Sequence, residues 1–483
     1  MHPYVDALLQ AAVAAADADR TSEAAALLRM LVGRCGPHEA DAIALLGQVS
    51  RRLGDLGGGE WLLRQALALQ PEHAWAHAEL GETLRMAGRP KEAVPHLEKA
   101  VTLNPALSAT LSSLAATHAT LDQFGDALRW ARAALAADVS RPETHGLVGD
   151  ILARQGRAAE AIAEYEKALA LRPAESRSRF GRGLVRLELG DMPAAWADHE
   201  ARLEVAGTGG LSQPLWHGQK RMKRRTILLH AEQGMADTVH FVRYAAMVAK
   251  TGARILLQVQ RGLGRLCGTA PGVAAAYEES DALPDFDLHC PLLSLPAVFA
   301  TSLATIPANV PYLTADEFIR SEWRRALKPW QKMRVGLVWR SAPSFPSLSM
   351  PLGMLAPLLG RDDVECHTLQ RILAPEDHAA AAEAAGLIDH SFALSDISQA
   401  GALIAEMDLV IAVDSLEAHL AGALGVPAWV MLPHHANWRW LRDREDSPWY
   451  PTMRLFRQTH QGDWHAVLEQ VVHNLDAWTV QRA

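Results

Sequence analysis

Residues 71–104 read Pro71-Glu-His-Ala-Trp-Ala-His-Ala-Glu-Leu-Gly81-Glu-Thr-Leu-Arg-Met-Ala-Gly88-Arg-Pro-Lys-Glu-Ala93-Val-Pro-His-Leu-Glu-Lys-Ala100-Val-Thr-Leu-Asn104. Two helix-forming stretches flank the Gly88-Arg89 break, and the same signals return on either side. Prolines stand at Pro3, Pro37, Pro71, Pro105 and Pro173, at intervals of 34 residues or twice that, with Val139 in the vacant place. Gly47, Gly81, Ala115, Gly149 and Gly183 form one column of small residues. Ala25, Gly59, Ala93, Ala127, Ala161 and Ala195 form a second, and Ala66, Ala100, Ala134 and Ala168 a third. Helices approach closely only where side chains are small, so a fixed period of this size predicts stacked helical pairs. Gly54, Gly88, Gly156 and Gly190 mark the turns, where glycine supplies a left-handed helix end.

The pattern resembles the tetratricopeptide repeat, six repeats of 34 over residues 1–206. The ends depart from it: Val13 replaces a small residue, and Arg182 and Arg202 occupy columns that are usually apolar or small. Terminal repeats are commonly atypical because one face meets solvent or another domain. The resemblance implies a concave groove that takes a peptide or protein partner. Gln48, Arg51, Trp75, Glu82 and Arg85 fall on the first-helix face expected to line it. A spacer or dimerisation arm is the other use of such an array.

After Ala206 the period stops. Gly207-Thr208-Gly209-Gly210 and Pro214 read as a linker over 207–225. Its basic run, Lys220 to Arg225, reads as a solvated edge. Short apolar runs then alternate with helical segments, the doubly wound pattern. Strands are expected at Thr226–His230, Ala253–Val259, Arg334–Trp339, Glu365–Leu369, Leu409–Val413 and Ala428–Leu432. They are rich in Val, Ile and Leu, as strands covered on both faces are. The fold class is therefore α plus α/β: a helical solenoid, then two Rossmann-type lobes at 226–325 and 326–483.

Three runs in this half carry a second resemblance: His230-Ala-Glu-Gln-Gly-Met-Ala-Asp237-Thr-Val-His-Phe-Val-Arg-Tyr244, Asp285-Phe-Asp-Leu-His-Cys-Pro-Leu-Leu-Ser-Leu-Pro296, and Asn437-Trp-Arg-Trp-Leu-Arg-Asp-Arg-Glu-Asp-Ser-Pro-Trp-Tyr-Pro451. Together they are similar to the heptosyltransferases, inverting glycosyltransferases of the two-lobed GT-B fold. The resemblance implies a nucleotide-diphosphate sugar as substrate, with no cofactor and no metal. It places the general base at Asp237, where the first strand opens onto the first helix, with Gln233, Gly234 and His240 on the acceptor side. A carboxylate there can take a proton from an acceptor hydroxyl; it can equally cap the helix. The run Val413-Asp-Ser-Leu-Glu-Ala-His419 brings a strand directly into a helix, whose free amides suit a diphosphate. The implied donor side is Trp339, Ser341, Gln370, Asp414, Ser415, Leu416, His419 and Arg439. Departures from the family pattern touch this site: Ala236 stands where glycine normally precedes the aspartate, and the 340–349 loop is short, with Ala342 and with Leu348 in place of an arginine.

Other signals are discounted. Asp285-Phe-Asp287 reads as a turn rather than a metal motif, and Gly262-Leu-Gly264 lacks a dinucleotide fingerprint's third glycine. His434-His435 has no ligand partners nearby. Trp438, Trp440, Trp449 and Tyr450 either pack on the first lobe or line a sugar pocket with Arg439. The net charge of −8 argues against nucleic-acid binding. Cys35, Cys267, Cys290 and Cys366 show no metal-ligand spacing, and reduced thiols fit a cytoplasmic protein. No apolar run is long enough to span a bilayer, and Asp6, Asp17 and Asp19 interrupt any leader. The leading expectation is a metal-independent inverting glycosyltransferase whose repeats recruit a protein acceptor. The rivals are a non-catalytic adaptor with a degenerate transferase scaffold, and a transferase acting on a cell-envelope saccharide.

Overall fold

The computed structural model describes residues 10–16, 18, 20–33, 38–206, 211–219, 221–327, 332–342, 346–384, 386–394 and 396–482. Pro3, Asp6, Asp17, Asp19, Cys35, Pro37, Gly207–Gly210, Lys220 and the 343–345 part of the short loop lie outside the described residues. The chain forms two compact units, Met1–Arg182 and Gly183–Ala483. The division falls inside the helix Ser176–Glu188.

The first unit is helical. Its pairs include Glu39–Arg52 with Leu56–Leu69, Ala74–Met86 with Pro90–Leu103, Ser108–Thr120 with Phe124–Ala137, and Pro142–Arg154 with Ala158–Leu171. The small columns are the contact lines. A Cβ on Gly47 would lie 2.7 Å from Leu63, one on Gly81 2.5 Å from Leu97, and one on Gly149 2.7 Å from the Tyr165 ring. The facing position follows the same period, Leu63, Leu97, Ala131 and Tyr165, and where it holds Leu or Tyr its partner is glycine. All four residues of the third small column are fully buried. Gly54, Gly88 and Gly156 turn with positive φ, and at the equivalent place Asp122 adopts φ +59° without being glycine.

Four of the candidate groove residues already have side-chain partners within the repeats. Gln48 Nε2 donates to Glu79 at 2.9 Å and Arg51 Nη2 to the other Glu79 oxygen at 2.8 Å. Arg85 forks onto Glu82 at 2.9 and 2.6 Å. Trp75 is half-buried against the repeat core. Glu79, which joins two of the expected groove residues, is missed by the sequence reading.

The second unit holds two wholly parallel sheets. The first has the order β3-β2-β1-β4, with β1 Thr226–His230, β2 Arg254–Val259, β3 Val273–Glu278 and β4 Leu288–Pro291. The second has the order β10-β9-β8-β5-β6-β7, with β5 Met333–Val338, β6 Val364–Thr368, β7 Leu387–Ile388, β8 Leu409–Val413, β9 Ala428–Leu432 and β10 Met453–Arg457. Residues 211–219 run beside the first sheet: Leu215 bridges to His289 and Trp216 is buried. One continuous apolar core joins Leu187, Met192 and Trp196 to the first sheet and to the inner face of the second.

Candidate active site

Each lobe repeats one topological device. Its first strand is central, with the second strand on one side and the fourth on the other, so the crossovers depart in opposite directions. Ligands of such sheets bind at the carboxyl ends beside that switch point. In the first lobe the loop leaving β1 occupies this place; in the second, the loops leaving β5 and β8 do.

The β1 loop delivers Asp237. Gly234 caps the helix Met235–Phe241, and Asp237 is its third residue rather than its N-cap. The Asp237 N–H donates to the Gly234 carbonyl at 3.1 Å, and the Gly234 N–H donates to Asp237 Oδ2 at 2.9 Å. This reciprocal pair fixes the carboxylate at the lip of the sheet. Its other oxygen forms an ion pair with Arg439 Nη2 from the opposite lobe. Arg439 is itself buried, anchored to Asn437 Oδ1 at 2.8 Å and stacked over Trp438 and Phe241 at 4.6 and 5.2 Å. Ala236 is half-buried beside it, and Gln233 and Gly234 are exposed at the loop tip.

The β8 loop delivers the second helix terminus. Ser415 caps the helix Leu416–Ala423, accepting the Ala418 N–H at 3.3 Å. Two carboxylates crowd this terminus. Glu417 is buried and takes a hydrogen bond from Arg371 Nε at 2.9 Å. Burial raises the pKa of Asp414, opposed by the Trp440 N–H and by Arg439, while the Asp237 charge raises it further. Arg371 follows β6 at the same end of the sheet and is absent from the expected donor set. Its only sequence signal is adjacency to Gln370.

Behind the pair lies a buried polar cluster spanning both lobes. Tyr450 Oη lies 3.1 Å from His240 Nδ1 and 2.9 Å from His419 Nδ1. Arg243 donates to the His240 carbonyl at 2.7 Å, to the Trp449 carbonyl, and to Tyr312 Oη at 2.9 Å, with its plane over Tyr450 and Tyr312. Burial holds both histidines far below their usual pKa, with Arg243 and Arg439 adding to the effect. Both rings are therefore neutral, each with one donor and one acceptor nitrogen. Tyr450 has one O–H, so it donates to at most one of the two rings, and Tyr312 Oη stands 3.4 Å from the same oxygen. His419 Nε2 stands 3.8 Å from Asp414 Oδ1.

The remaining expected residues hold the scaffold. His240 is wholly buried rather than presented at the acceptor face. Trp339 is a core residue whose indole donates to Asp377 at 2.9 Å. Gln370 Oε1 accepts the Arg340 N–H at 3.0 Å, tying the β5 and β6 loops, and the Ser341 N–H donates to Ser349 Oγ at 3.1 Å. Leu416 is half-buried at the helix start. Trp438, Trp449 and Tyr450 pack against Phe241 and His240 of the first lobe, and Trp440 stacks on His419 within the second. Asp287 ties Arg225 and the Thr226 N–H to the sheet edge at 2.7 and 2.8 Å. The Gly262 N–H donates to Glu278 at 2.9 Å. Among the described residues no group of three or more His, Cys, Asp or Glu converges as a metal site, and no helix is long and apolar enough to cross a membrane.

Comparison with known proteins bears on the repeats directly. Residues 44–108 match the model described as Tetratricopeptide repeat, and residues 149–190 the one described as TPR repeat. The N-terminal repeats are tetratricopeptide repeats. Over its length the chain is similar to Protein FlbA of Caulobacter vibrioides, 24% identical, with 88% of this chain and 82% of FlbA covered. Among solved structures, the crystal structure of MamA is similar over 33% of this chain and 93% of its own, at 23% identity and a TM-score of 0.30. A thermophilic TPR protein from Thermus thermophilus is similar over 38% and 99%, at 21% identity and a TM-score of 0.34.

Proposed function

We propose that the second unit is an inverting glycosyltransferase of the heptosyltransferase-like, GT-B kind, acting on a nucleotide-diphosphate sugar. We assign residues 226–325 to its first lobe and 326–483 to its second. The observation that carries the reading is the Asp237–Arg439 pair: a carboxylate at the switch point of one lobe meets a cation of the other, beside the Ser415-capped helix terminus. The acceptor hydroxyl attacks the anomeric carbon from the first-lobe side and Asp237 takes its proton. The bond from that carbon to the diphosphate oxygen breaks, and the electron pair leaves with the diphosphate. The amides at the start of Leu416–Ala423, with Arg371 and Arg439, face the charge that develops there. The tetratricopeptide repeats recruit a protein or peptide acceptor, with Gln48, Arg51, Trp75, Glu82 and Arg85 at the groove. The test is transfer or hydrolysis across a panel of nucleotide sugars, each hit repeated with Asp237→Asn. Turnover that survives this change would remove Asp237 from the chemistry.

A second reading is favoured by one observation. Both Asp237 oxygens are engaged, one by Arg439 and one by the Gly234 N–H, and Ala236 adds a side chain beside them. A non-catalytic adaptor would keep this pair closed as a fastening between lobes. It predicts no turnover with any donor, and partner binding confined to the repeats.

A further inference from the structure

The last tetratricopeptide repeat breaks its own pattern at Arg202, and the structure gives that break a use. Arg202 is buried and forks onto Glu232 at 3.1 and 2.8 Å, with further bonds to Ser294 Oγ at 2.7 Å and Glu200 at 2.6 Å. Glu232 belongs to the β1 loop, two residues before Gly234, and also accepts the Leu293 N–H at 3.3 Å. Arg202 therefore grips the loop that carries Asp237.

The same repeat holds the opposing loop. Glu188 is buried and accepts Arg442 Nε at 2.7 Å, with His435 Nδ1 at 3.4 Å. Trp196 lies edge-on to Trp438, ring centres 5.9 Å apart, and donates to the Thr301 carbonyl at 2.7 Å. His199 meets the same Trp438 ring. These contacts bracket Arg439 from both sides in sequence. An ordinary repeat end needs only a polar outer face; this one buries an arginine and a glutamate against two separate loops.

We propose that Arg202 and Glu188 are positioning residues, and that the terminal repeat is a clamp setting the register of Asp237 against Arg439. Arg202 acts through Glu232 on the Asp237 loop, and Glu188 acts through Arg442 on the Arg439 loop. Neither touches the reacting atoms. The kinetic part of this proposal rests on the transferase reading; the geometric part does not.

The experiment uses the full chain with Arg202→Met, Arg202→Lys and Glu188→Gln. Amide hydrogen exchange is followed without any added ligand, and transfer kinetics are followed on whichever donor the wild type uses. The clamp predicts faster exchange confined to 231–237 in R202M and to 434–442 in E188Q, with β1 and β8 unchanged. It predicts a kcat loss on the order of 10²-fold, because small misplacements of reacting groups are that costly. Donor KM should hold in R202M, and R202K should recover part of the rate by restoring the charge. Wild-type exchange in both loops would overturn the clamp whatever the turnover. Uniform acceleration across β1 and β8 would overturn it too, by showing general fastening instead of local positioning. A wild type without turnover defeats the transferase reading, and the exchange pattern still decides the clamp.

Discussion

Arg439 reaches from the second lobe to the Asp237 carboxylate in the first while Asn437, two residues earlier, holds its other amino group. Asp237 is thus at once the third residue of a helix, a partner of the Gly234 N–H, and one half of a nearly buried ion pair. These roles separate under substitution. Asparagine keeps the shape and the bond to Gly234 but removes the charge paired directly with the buried Arg439. Asp237→Asn is expected to lower stability by about 3 kcal/mol, the usual scale for breaking such a pair. It should lower transfer by about 10²–10⁴-fold. Asp237→Asn with Arg439→Gln should regain much of the melting temperature and none of the rate; recovery of rate would show that the pair is only structural.

Arg371 neutralises Glu417 at the terminus of Leu416–Ala423. Arg371→Met leaves that carboxylate uncompensated where a diphosphate would bind. Titration calorimetry with a nucleoside diphosphate should show affinity reduced by about tenfold or more, equivalent to about 1.4 kcal/mol. Unchanged affinity would place the diphosphate elsewhere.

Tyr450→Phe removes one hydroxyl and strands two buried ring nitrogens, on His240 and His419. A loss of about 1–3 kcal/mol is expected in denaturant unfolding. A silent substitution would mean that the tyrosine ring, not its hydroxyl, joins the lobes.

Burial, with His390 and Arg334 adding to it, pushes His367 down to about 3. The unfolded chain then binds this proton first, so the contribution to stability is full above about pH 6.5 and is lost as pH falls toward 3. His230, held at about 4, acts in the same sense, whereas Asp414 and Glu232, both raised by burial, act oppositely. Each such histidine contributes a slope of up to about 1.4 kcal/mol per pH unit within its window. His367→Gln should flatten the acid limb of a melting-temperature profile; an unaltered limb would show that His367 does not titrate on unfolding.

Asp122 occupies a turn where every neighbouring described repeat uses glycine, at φ +59°. A side chain there costs roughly 1–2 kcal/mol. Its hydrogen bond from Arg154 is exposed and worth little. Asp122→Gly should therefore raise the melting temperature of the repeat unit, and a lower value would show that the Arg154 contact outweighs the strain.

The repeats were legible because one spacing recurs in every turn and small-residue column. The expected strands at Thr226–His230, Leu409–Val413 and Ala428–Leu432 coincide with β1, β8 and β9, whose Val, Ile and Leu runs are unambiguous. β3 escaped because Val273-Ala-Ala-Ala-Tyr-Glu278 carries alanine where a strand signal needs branched residues. β7 is only two residues long, and β10 carries two arginines in five residues. In the site, Asp237 and Ser415 were legible as strand-to-helix transitions. Glu232 and Glu188 were not, because their partners lie far away in the chain, and no local pattern marks a salt bridge closed by folding.

The burial of Arg202 and Glu188 also decides where this chain can be divided. Periodicity suggests a cut after residue 206, but a fragment starting at 207 would lose the cation beside Glu232 and uncover Trp438 and Arg442. It should be prone to aggregate, and its silence in an assay would say nothing about the chemistry of the lobes. A cut in the turn around Pro173 keeps both partners with the loops they hold, so the smallest unit fit for expression carries a whole repeat that the sequence period would assign to its neighbour.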